Sequence, residues 1–143
     1  MTVRDPAKAL LEKLRDYPNT VQERALQARA MLLGHAPDCW ELLYHRRVLS
    51  TAFSHTGALR DAFCHIAVYQ AHANLGFNRG AELDDPQRRL LGTGKLIRHV
   101  RLSEVLTLDD DYLATLVEGA IALSLQRLRE NGGVPTRGTL LVK

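Results

Sequence analysis

The sequence predicts an α+β fold with two N-terminal helices, a roughly four-stranded antiparallel sheet and a long C-terminal helix. Three observations predict it. Apolar residues recur at the helical period up to about residue 35, alternate with a period of two between 47 and 102, and return to the helical period from Leu113 to Leu128. Helices and strands are therefore segregated along the chain, which favours α+β over an alternating parallel sheet.

The first helix opens at Asp5-Pro6, where Asp5 is a cap residue and Pro6 suits the first helical position. Leu10, Leu11 and Leu14 share its apolar face, and Pro18 ends it. The second opens at Thr20, with Glu23 completing a capping box. Val21, Ala25, Ala28 and Leu32 line one side, and Gly34 and Pro37 stop it. Asp38 and Glu41 repeat the capping pattern and predict a short helix carrying Trp40, Leu42 and Leu43.

Residues 47–55 read as a strand, Thr56-Gly57 as a turn and residues 59–70 as a longer strand with little polar character on either face. Residues 72–78 form a third strand, and the short links favour antiparallel pairing. Residues 79–93 are a surface loop with one helical turn near Gln87–Leu91, and 94–102 a fourth strand. The final helix has Asp109, Asp110 and Asp111 at its positive end and Arg127 and Arg129 at its negative end. Asn131-Gly132-Gly133 stops it. The tail, 132–143, is either loose or adds an edge strand through Leu140, Leu141 and Val142.

A chain of 143 residues fits one domain, 1–143, and buries roughly two thirds of its unfolded surface. The net charge of +3 is short of that expected for a nucleic-acid binder, and few aromatics interleave with the basic residues. Neither a leader pattern nor an apolar run of membrane length is visible, so a cytoplasmic, non-membrane protein is expected. Cys39 and Cys64 are too few for a disulfide scaffold and read as free, partly buried thiols.

Residues 92–99, GTGKLIRH, could gather backbone N–H groups and an ammonium around an anion. They lack the length, the Lys-Ser/Thr pair and the following helix of a phosphate loop. Arg79, Lys95, Arg98 and His99 form a basic group beside Gly76, Gly80 and Gly94. These seven residues are the candidate ligand site, and an anionic small molecule or protein is the expected partner. No paired Cys/His spacing marks a metal site, so neither metal nor cofactor is expected. An assembly of His55, His65 and His99 is the one metal arrangement that distant residues could build. Nucleophile-elbow, HExxH and dinucleotide motifs are absent, which favours a binding or accessory domain over an enzyme. The enzymatic alternative requires a concavity between sheet and helices holding a His or Cys of perturbed pKa. The oligomeric state is expected to be monomer or homodimer.

Three segments carry a family resemblance: HAPDCWELLYHRR at 35–47, LGFNRGAEL at 75–83 and GTGKLIRHVRL at 92–102, with DDP at 84–86. Together they resemble the YdhG-like family, domain-of-unknown-function family 1801, over about residues 20–128. The glycines, Arg79, Lys95, Arg98 and His99 stand in that family's order. The resemblance implies an α+β arrangement with helices packed on an antiparallel sheet. Some relatives are described as frataxin-like iron chaperones, which implies metal handling as an alternative function. That class uses an acidic surface, whereas this chain is net basic. The chain also departs from the family at Asn78, where an aromatic or small residue usually follows Phe77.

Overall fold

The computed structural model describes residues 3–102 and 111–143. Among them, helices α1 (Lys8–Leu14), α2 (Asn19–His35) and α3 (Asp111–Glu130) accompany six strands. The strands are β1 (Trp40–His45), β2 (Leu49–Ser54), β3 (Ala62–Val68), β4 (Ala73–Phe77), β5 (Arg98–Arg101) and β6 (Leu140–Val142). They form one sheet of order β5-β4-β3-β2-β1-β6. The fold class is α+β, and the sheet is larger than four strands and mixed. The four consecutive pairs from β1 to β5 are antiparallel, but β6 runs parallel to β1.

Both extra strands have a physical reason. The segment read as a short helix, 38–43, is β1. Leu42 and Leu43 are both fully buried, on opposite faces, so the strand shows no clean polar alternation. Glu41, which mimics the far half of a capping box, is buried against Arg29 and Arg4 instead. Of the two readings of the tail, the strand forms. Its backbone exchanges hydrogen bonds with β1 through Glu41 N to Thr139 O and Lys143 N to Leu43 O.

Other boundaries shift locally. Helix α1 begins after Ala7, and α2 after Pro18, neither with a side-chain cap bond, so Asp5 and Thr20 do not cap as expected. The turn expected near Gln87–Leu91 is replaced by a 3-10 turn at Gly80–Glu82, and Leu91 instead bridges His99 of β5. Another 3-10 turn, Leu59–Asp61, opens the strand expected from residue 59. Strand β5 is shorter than 94–102. Of the acidic triplet, Asp111 begins α3, while Asp109 and Asp110 lie outside the described residues.

The strand register sorts the side chains into two faces. Leu43, Thr51, Ile66, Leu75 and Val100 form one cross-strand row. This row faces α2 and α3 in the main core, with Phe53, Phe77, Leu32, Leu113 and Val117. Leu42, Ala52, His65, Gly76 and His99 form a row on the other face. Leu42, Ala52 and Ala62 make a smaller cluster there, under Trp40, Tyr44 and Leu59. No helix among the described residues is long and apolar enough to cross a membrane.

Candidate functional site

A cleft of about 680 Å³ opens where the sheet ends against the C-terminal half of α3. Five elements build it. The end of β2 and the 3-10 turn after it supply His55, Leu59, Arg60 and Asp61. The start of β3 and the end of β4 supply Phe63, Asn78 and Arg79. Helix α3 supplies Ala120, Leu123, Ser124 and Arg127 one turn apart, as its periodicity requires. Leu83 and Leu96 close the side nearest the long loop. The lining therefore mixes apolar side chains with polar ones, among them three guanidiniums and the Asp61 carboxylate.

His55 is 9% exposed and stacks on Phe63 with ring centroids 4.7 Å apart. Its Nδ1 lies 3.3 Å from Ser124 Oγ. Burial lowers its pKa, so the ring is neutral at pH 7. Asp61 accepts a hydrogen bond from the Thr56 hydroxyl at 2.6 Å. Arg79 is tied to Glu82 by two bonds, Nε to Oε2 at 2.5 Å and an Nη to Oε1 at 2.8 Å. That bond lowers the Glu82 pKa and raises that of Arg79. The side chains of Arg60 and Arg127 make no hydrogen bond or ion pair among the described residues, although the Arg127 charge helps to lower the Glu82 pKa.

Of the seven residues singled out in the sequence, Gly76 is paired with His99 across β4 and β5, and Gly80 and Gly94 both adjoin Arg98. Only Arg79 of the seven lines the cleft. Gly76 lies beneath the His65 ring, where a Cβ would come within 2.1 Å of Nε2. Gly80 lets the Arg98 side chain approach, since a Cβ there would sit 2.5 Å from Arg98 Cβ. Arg98 turns back on its own loop, donating to the carbonyls of Gly94 at 2.5 Å and Ile97 at 2.8 Å. These three residues therefore shape the chain. Gly94 and Lys95 lie in the exposed part of the loop, away from the cleft lining. His99 bonds backbone to backbone with Leu91, and its side chain neighbours His72 and Arg101, which with burial lower its pKa.

The loop itself is pinned to α3. The Tyr112 hydroxyl donates to Asp85 Oδ1 and accepts from Gln87 N, while Asp85 also accepts from Arg89 N and Leu90 N. The arginine of the cleft that sequence reasoning missed, Arg127, was legible only as a helix-end charge. Arg60 carried no local signal at all, because the helix that faces it across the cleft is distant in sequence.

The histidines divide between faces. His65 and His99 belong to the row facing away from the helices, and His55 to the cleft. No group of three or more His, Cys, Asp or Glu side chains among the described residues is placed to hold a metal ion. Both cysteines are free and fully buried, and burial pushes the Cys39 thiol up to about 12 and that of Cys64 well above its ordinary value. Neither offers a thiolate nucleophile.

Comparison with protein-family models, with curated proteins and with solved structures found no match to this chain.

Proposed function

We propose that the protein is an intracellular, non-enzymatic binding domain whose cleft takes a small organic anion, a carboxylate or phosphate head on an apolar body. One observation carries this reading. Arg60 and Arg127 line a cleft of mixed polar and apolar character, and neither side chain makes a hydrogen bond or ion pair among the described residues. The guanidinium of Arg79 is committed to Glu82 and is not free to move. A planar fork suits carboxylate and phosphate oxygens, and Phe63, Leu83 and Leu123 would cover the ligand's body. Two unpaired cysteines fit a reducing compartment. The resemblance to the YdhG-like family agrees with an accessory role and adds no ligand.

The test is a thermal-shift and NMR titration against a panel of organic acids and phosphate monoesters. At least one should bind, and its Kd should rise about 10- to 100-fold in Arg127→Ala, the loss expected for a charge-assisted hydrogen bond. Binding that is unchanged in an Arg60→Ala/Arg127→Ala double variant would overturn the cleft as the site.

A second reading has one specific observation in its favour. A neutral His55 beside the Ser124 hydroxyl is the pairing that a general base and nucleophile require. An esterase reading predicts turnover of short chromogenic esters that disappears in Ser124→Ala. The absence of turnover by the unmodified protein rejects it.

A further inference from the structure

We infer that Asn78 selects the ligand of the cleft by requiring a second oxygen acceptor on its body, so that the preferred ligand class is an acid bearing a keto or amide carbonyl. This rests on the cleft reading above and adds to it a specificity-determining residue.

Asn78 follows β4 at the end of the sheet and lines the cleft. Its backbone N–H donates to Phe63 O at 3.1 Å, which fixes the residue against the start of β3. Its side-chain Oδ1 lies 2.9 Å from His65 Nδ1. An amide oxygen can only accept, so His65 holds its proton on Nδ1 and donates it. The His65 ring lies directly over Gly76, where a Cβ would come within 2.1 Å of Nε2, so the glycine makes the room that this ring position needs. The bond survives protonation of His65, since Nδ1 remains a donor in both states.

An amide is planar, so an oxygen turned towards His65 turns the nitrogen away from it. Nδ2 makes no hydrogen bond among the described residues, and Asn78 is half-buried at the cleft wall. The cleft thus has a fixed neutral donor apart from its two unpaired guanidiniums. Acceptors are present as well, since Asp61 takes the Thr56 hydroxyl on Oδ2 only and Glu82 is paired with Arg79, but the guanidiniums and Nδ2 supply more donors. A donor-rich wall recognises an acceptor-rich ligand. An anion that lacks the second acceptor leaves Nδ2 without a partner in a space the ligand has dehydrated.

The experiment uses matched probes on the full chain. Levulinate, 5-oxohexanoate and 6-oxoheptanoate are titrated by NMR beside pentanoate, hexanoate and heptanoate. At least one oxo acid should bind the unmodified protein roughly 3- to 10-fold more tightly than its plain partner. Asn78→Asp, isosteric and still able to accept from His65, should abolish that preference; Asn78→Ala should abolish it as well while retaining the dependence on Arg127. Melting temperatures of the variants show that the fold is kept. Equal affinities within every pair, or a preference that survives both Asn78 variants, overturns this inference alone if Arg127→Ala still weakens binding. Failure of every probe to bind, or binding indifferent to Arg127, overturns the cleft reading as well.

Discussion

Glu41 is 2% exposed and is held by two guanidiniums. Arg29, itself 3% exposed, donates Nε to Oε2 at 2.8 Å and an Nη to Oε1 at 2.9 Å. Arg4 adds its Nε at 3.1 Å and reaches the carbonyls of Cys39 and Gly138. One carboxylate therefore joins the N-terminal segment, α2, β1 and the tail. Removing one partner of a buried pair leaves the other charge dehydrated and uncompensated, which costs about 3–5 kcal/mol. Glu41→Ala is expected to lower unfolding stability by about that amount in urea denaturation. A loss well under 1 kcal/mol would show that the network is dispensable. In the sequence Glu41 looks like a capping residue, because nothing local reveals that two distant arginines converge on it.

At the scale of elements, the tail and Trp40 form a unit. The chain of Gly138 passes so close to the indole that a Cβ would fall 1.8 Å from Trp40 Cδ2. The indole N–H donates to Thr136 Oγ1 at 2.9 Å, and Thr136 N donates to His55 O at 2.8 Å. The tail is thereby linked to the residue that walls the cleft. Gly138→Ala is expected to push β6 off β1 and expose the chain's single tryptophan, read as a red shift of its fluorescence. An unshifted spectrum with unaltered stability would mean that the tail does not pack there. Helix α2, helix α3 and strands β2 to β4 were legible because each carries its own period. Strand β1 was not, because it depends on partners remote in sequence, and β6 was legible only as one of two readings of the tail. Helix α3 also shows why the arginines of the cleft carry no local signal of it. Gly-rich, basic segments advertise themselves locally, but here Gly76, Gly80 and Arg98 are used to fold the loop, and the free arginines arrive from a turn and a helix.

For the whole molecule, the buried histidines set a pH dependence. Burial lowers the pKa of His55 and of His65 below 6.5. For both, the unfolded chain binds protons at a pH where the folded chain does not, so stability rises with pH. It is fully present above the unfolded pKa near 6.5 and is lost as pH falls towards and through the lowered folded values. Urea midpoints should therefore drop between pH 7.5 and 5, and the drop should be smaller in His65→Gln. A midpoint independent of pH over this range would contradict the burial of both rings. Fold class was readable from the sequence because periodicity is a property of segments. The cleft was not, because its polar groups come from the end of β2, the turn after it, the end of β4 and the middle of α3.

The most direct measurement is a crystal structure of the protein soaked with an anion that binds in solution. Density between Arg60 and Arg127, over Phe63, is the expected result. An anion seated instead beside Gly94, Lys95 and the outer face of the loop, with the cleft holding only solvent, would contradict it.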